Sequence, residues 1–109
     1  MHPVNRGRLA VADAAPTVGE RVTTVAVVEG LTIEHIQSGT LPGPVSFQQD
    51  HGEWAVVLAG GAVMEVDGER IRLEPRDWVW IPAGTPHTVE RTEPGTEWLA
   101  LHLPVPPPG

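Results

Sequence analysis

The 109 residues include no cysteine. That absence excludes a disulfide framework, a thiolate zinc site and a cysteine nucleophile, and it is compatible with a reducing compartment. Lysine is missing too: the seven basic residues are all arginine, scattered singly among fourteen acidic ones, for a formal net charge of −7. Such a chain has no basic stripe for nucleic acid and repels phosphate and anionic lipid alike. Neither nucleic acid nor a membrane surface is an expected partner. Long apolar runs are also lacking. Nothing approaches a membrane span, and the opening "MHPVNRGRLAVADAAP" holds no apolar core of signal-peptide length, so a cytoplasmic location is the expectation. Ser38 and Ser46 have no nucleophile-elbow context, and no glycine loop leads into a helix to cradle phosphate.

What is present organises as one domain. Residues 1–19 are small, polar and interrupted by Pro3, Gly7, Pro16 and Gly19; they read as a loose arm in which "RLAVADAA" could form a short turn of helix. The tail at 104–109, "PVPPPG", is rich in proline and should be extended. The body between them, 20–103, has almost no helical periodicity. It is a succession of short apolar or alternating runs, among them "RVTTVAVVE", "LTIEHIQ", "VSFQQ", "EWAVVLAG", "AVMEV", "ERIRL", "DWVWI", "HTVERT" and "EWLALHL". Asp67–Gly68 is a strong two-residue hairpin signal, and "AGG" at 59–61 reads as another hairpin turn. About eight or nine short strands at this spacing predict an all-β fold, a small antiparallel barrel or double-sheet jelly roll.

Two segments carry a more specific pattern. Glu53 is followed after six residues by Gly60, and "PAGTPH" sets Pro82, Gly84 and His87 at fixed spacing. Together with the Asp67–Gly68 hairpin between them, these residues resemble the two-motif core of the cupin superfamily, G-x5-H-x-H-x(3,4)-E-x6-G and G-x5-P-x-G-x2-H-x3-N. The resemblance covers roughly 39–103 and implies the cupin barrel, a double-stranded β-helix with an interior site. Within the superfamily the sequence looks closest to small bacterial single-domain cupins with a "DQDxDEW"-like segment and a "WLAVH"-like closing strand, here "QQDHGEW" and "WLALH". The departures are specific. The two histidine positions of the first motif fall on Phe47 and Gln49, Arg76 replaces the glycine that opens the second motif, and Arg91 replaces its asparagine. By resemblance, Glu53 and His87 keep two of four ligand positions, Gln49 could supply an oxygen, and Phe47 cannot coordinate a metal.

Alternation along a strand gives Phe47, Gln49, His51 and Glu53 one parity, so an extended segment would turn all four inward. "DHG" at 50–52 is turn chemistry that can break this register, leaving His51 either inward or on the rim. His102 lies on the last strand. Histidine nitrogen and carboxylate oxygen suit a divalent Fe, Mn, Ni, Zn or Cu ion, so Glu53 and His87 with Gln49, His51 or His102 form the candidate metal set. Phe47, Val89 and Arg91 are the expected substrate-pocket residues, with Glu53 and His87 in the catalytic role. Each has a plainer reading. Glu53 could be a rim carboxylate paired with Arg91, His87 could satisfy a loop carbonyl, His51 could be solvated, and His102 could be a hydrogen-bonded core histidine. Gln49 could be a partner to a ligand histidine, and His35 is expected on the strand surface. Trp78 and Trp80 share one face of "DWVWI" with Val79 and Ile81 on the other, which predicts burial by barrel and partner together, hence a homodimer.

Two functions from different classes follow. One is a metal-dependent small-molecule enzyme, with dioxygenation, isomerisation, decarboxylation and dehydration all open by resemblance. The other is a metal-free cupin that binds a small ligand as a sensor or storage module.

Overall fold

The structure is a computed structural model that describes residues 5–10 and 15–107. Nine strands run in the order β1 (Glu20–Val28), β2 (Leu31–Ser38), β3 (Val45–Phe47), β4 (Glu53–Ala59), β5 (Ala62–Val66), β6 (Glu69–Leu73), β7 (Trp78–Ile81), β8 (His87–Thr92) and β9 (Thr96–His102). They form a five-stranded sheet, β1-β2-β9-β4-β7, and a four-stranded sheet, β3-β8-β5-β6. Every pairing between strands is antiparallel. The described residues contain no helix, and the predicted all-β jelly roll is the architecture found.

The two sheets bury one face each against the other. Ala55, Val57, Ile81, Trp98 and Ala100 from the first meet Ala62, Met64, Leu73 and Val89 from the second. Full burial of a side chain the size of Ile81, 2% exposed here, contributes about 1.5–3 kcal/mol. Asp67 and Gly68 both have positive φ, 48° and 84°, which is the type I′ geometry that matches strand twist and joins β5 to β6. The β1–β2 turn repeats this geometry at Glu29 and Gly30.

Several sequence expectations change in detail. The "AGG" turn is not a hairpin: β4 and β5 lie in different sheets, so residues 59–61 carry the chain across the sandwich. The crossing is held by Thr96, whose hydroxyl accepts from the Gly61 N–H at 3.1 Å and lies 2.9 Å from the Gly61 carbonyl oxygen. β3 stops at Phe47 rather than running on through Gln49. His35 is not a surface residue. It is 1% exposed, and its Nε2 lies 2.6 Å from Glu97 Oε1. It lies on the face of β2 opposite Ile36, beside Leu99 of β9, and the Glu97 carboxylate is what lets an imidazole stay buried there.

The arm is tied to the body at its end, where Val18 bridges Thr40 and the Gly39 N–H donates to the Gly19 carbonyl at 2.9 Å. Arg8–Ala10 carries no regular element, and the rest of the "RLAVADAA" turn falls mainly on residues 11–14, outside those described. The tail has no regular structure over 104–107. Trp78 and Trp80 face outward, 60% and 44% exposed, with Trp54 stacked on Trp78 at 6.1 Å between ring centroids.

Candidate functional site

Antiparallel register brings the candidate residues to one end of the sandwich. Glu53 opens β4 and pairs with His102 at the end of β9, while Phe47 ends β3 and pairs with His87 at the start of β8. The Pro82–Pro86 turn is fixed against the β3–β4 loop: the Gly84 N–H donates to the Gln49 carbonyl at 2.7 Å, and Gln48 Nε2 donates to the Gly84 carbonyl at 3.0 Å. These bonds set where Gln49 and His87 lie relative to each other. A cavity of about 190 Å³ opens between the sheets, and Phe47, Gln49, Glu53, His87, Val89 and His102 all line it. Trp98, Met64 and Ile36 supply apolar wall, and two further carboxylates, Glu20 and Glu34, also line it.

His87 is 5% exposed, and its Nδ1–H donates to the Thr85 carbonyl at 3.0 Å. The plainer reading of this histidine is therefore half right, because a loop carbonyl does take one nitrogen. That bond fixes the tautomer of the neutral ring and leaves the Nε2 lone pair 4.0 Å from Glu53 Oε1. The Phe47 ring stacks on His87 at 5.5 Å and 20°, covering one face of the imidazole. Glu53 Oε1 also lies 3.9 Å from His102 Nδ1. Chemically, the Glu53–His87 pair offers a carboxylate and an imidazole lone pair to one point in the cavity, which suffices to bind a donor or to hold a proton.

The remaining histidines are engaged with each other. His51 Nε2 and His102 Nδ1 are 2.9 Å apart, His102 Nε2 lies 2.8 Å from Glu34 Oε1, and His51 Nδ1 lies 3.2 Å from Asp50 Oδ1. All four ring nitrogens thus have partners. His51 does not line the cavity; it sits behind His102, with its side chain 23% exposed. The break in register at 50–52 put it there.

Arg91 is the site expectation that fails. It is exposed and lines a separate depression with Arg72 and Glu93 instead of the interior cavity. The register between β5 and β8 shifts so that Met64 pairs with Val89 but Val63 pairs with Arg91, leaving Glu90 as an extra residue. This bulge reverses the alternation, turning Thr92 inward and Arg91 outward. Glu53 consequently has no arginine partner in the cavity. Seven wall residues escaped sequence reasoning: the carboxylates Glu20 and Glu34, and the apolar Val22, Ile36, Ala55, Met64 and Trp98. Glu34 has the inward parity of Ile36, but parity alone does not tell which face of β2 is inward.

The donor set can be tested against the metal that the motif implies. Among the described residues, no group of three or more histidine, aspartate or glutamate side chains is arranged to hold a metal ion. The reasons are local. Phe47 offers no donor, both nitrogens of His51 and of His102 are hydrogen-bonded, and what is left is Glu53, His87 Nε2 and the weak amide oxygen of Gln49. Two strong ligands fall short of the three or four that resident zinc and iron sites use. The residues present do not fit a tightly held metal.

Comparison with known proteins bears on the fold and the family. A family model described as the cupin domain matches residues 32–102. The chain belongs to the cupin family. Among solved structures, this cupin is similar to a Ralstonia eutropha protein provisionally named a mannose-6-phosphate isomerase, at 30% identity, TM-score 0.73, 90% of this chain and 99% of that one. KdgF from a Halomonas species matches at 25% identity and TM-score 0.73, over 79% of this cupin and 81% of that chain. A cupin superfamily protein from Desulfitobacterium hafniense shares the fold at TM-score 0.72 and 20% identity, over 94% of each chain. No curated protein matches this cupin in sequence. The family pattern also gives Arg76 a context: where the second motif opens with glycine, Arg76 holds φ of 81°.

Proposed function

We propose that this cupin binds a small organic molecule in the interior cavity and does so without a resident metal ion. The observation that carries the reading is the fate of the ligand positions: Phe47 stacks on His87, while His102 is committed to His51 and Glu34. The cavity suits an organic guest. It is mostly apolar, with Trp98, Met64, Val89 and Phe47 in its wall and a few polar groups gathered near Glu53 and His87. Its volume of about 190 Å³ exceeds the ~150 Å³ apolar cavity that holds benzene, so one ring with a short side chain fits.

The name of the Ralstonia relative raises phosphosugar isomerisation as a candidate activity. No arginine lines this cavity, so a phosphate would meet carboxylates and find no cationic partner, which argues against that substrate here. Metal-dependent catalysis would rest on Glu53 and His87 alone.

The test is a ¹⁵N NMR titration with a fragment library, reading the Trp98 indole N–H. Binding fragments should shift that signal, leave Trp78 and Trp80 unmoved, and act equally with and without EDTA. Loss of the effect on adding EDTA would overturn the metal-free reading.

The exposed Trp78 and Trp80, beside Trp54, support self-association as a further part of the proposal. Sedimentation equilibrium should give a dimer at micromolar concentration, and a monomer would refute it.

A further inference from the structure

The charge of the cavity wall points to the class of its guest. Glu20, Glu34 and Glu53 line the cavity, and none of the seven arginines does. The wall also carries unmet hydrogen-bonding capacity. Gln49 Oε1 is buried and has no donor, and the indole N–H of Trp98, a residue 5% exposed, has no acceptor. Three carboxylates and an orphan amide oxygen together make the polar part of the wall predominantly accepting. The apolar part, with Trp98 and Phe47, can hold a ring or an alkyl body.

We propose that the cavity takes a small organic cation, a primary or secondary ammonium on an apolar body of about ten non-hydrogen atoms. The ammonium would lie between Glu53 and Gln49 Oε1, with the apolar body toward Met64, Val89 and Trp98. Its N–H groups would supply the donor that Gln49 Oε1 lacks and a charge partner for Glu53. This inference rests on the small-ligand reading above and adds to it the sign of the charge.

Three probes of matched shape test it by isothermal titration calorimetry on chelator-treated protein: phenethylamine, phenethyl alcohol and phenylacetate. The amine should bind at least about ten-fold more tightly than the alcohol, and phenylacetate should not bind measurably. Glu53→Gln should cut amine affinity about ten-fold and alcohol affinity by much less. Glu34→Gln should act the same way more weakly, and it keeps the test available if the first variant folds poorly. Equal affinity for amine and alcohol would overturn the charge inference while leaving a ligand cavity in place. Preference for phenylacetate, or no binding of any probe at millimolar concentration, would overturn it as well. Failure of the metal-free reading is separate, because it appears as EDTA-sensitive binding.

Discussion

Substituting Phe47→His and Gln49→His together is expected to turn a chain that retains less than ~0.1 metal ion into one that retains about one. The geometry prepares this outcome. β3 pairs with β8 so that position 47 lies directly beside His87, and the wild-type rings already stack at 5.5 Å. An imidazole at 47 and another at 49 would join Glu53 Oε1 and His87 Nε2, which are 4.0 Å apart and face the same cavity. Four nitrogen and oxygen donors then replace two, without disturbing the His51–His102 pair behind them. Titration with Mn(II), Fe(II), Ni(II) or Zn(II) should give a saturable site in the double variant and none of comparable affinity in the wild type. Each single variant should fall between, with Phe47→His the larger step because it converts a position with no donor. A double variant that binds no better than wild type would mean that something other than these two positions sets the metal affinity.

The second large effect concerns the crossing between the sheets. Gly60→Ala is expected to lower stability by ~3 kcal/mol and the melting temperature by roughly 12–20 °C. Gly60 has φ of 79°, and an added Cβ would lie 2.5 Å from Thr96 Oγ1 and 2.7 Å from the Thr96 Cα. The backbone contact cannot swing aside as a flexible side chain could, and moving Thr96 disrupts its bonds to Gly61. Gly68→Ala is the matched control: φ is 84° there, but a Cβ meets nothing within 4 Å, so only the backbone strain of about 1 kcal/mol remains. Thermal unfolding of the two variants separates the clash from the strain. Equal losses would show that the close approach to Thr96 contributes nothing.

Much of the fold was legible from period and punctuation. Nearly every alternating run became a strand, because one face of each had to be buried, and Asp67–Gly68 turned where its φ preferences demand. The Glu53-to-Gly60 and Pro82-to-His87 spacings were legible because they are set by one strand and one turn. The failures share a different cause, in that each depends on long-range placement. Nothing local announces that Glu90 bulges out of the β5–β8 ladder, yet that one extra residue takes Arg91 out of the cavity. The "AGG" turn has hairpin composition, and only the global sheet order makes it a crossing. His51 was open between cavity and rim because residues 50–52 leave the extended conformation. Its actual partner, His102, lies 51 residues away in sequence. The altered ligand positions were visible at once, but their meaning depended on whether His51 and His102 could compensate. Their mutual hydrogen bond, and the bond from His102 to Glu34, weigh against that.

The metal-free cavity is tested most directly by the metal content of the untagged wild-type protein, purified without chelator and measured by elemental mass spectrometry beside Glu53→Ala and His87→Ala. Less than ~0.1 equivalent of any transition metal is expected in all three. About one equivalent in the wild type, lost in both variants, would contradict it.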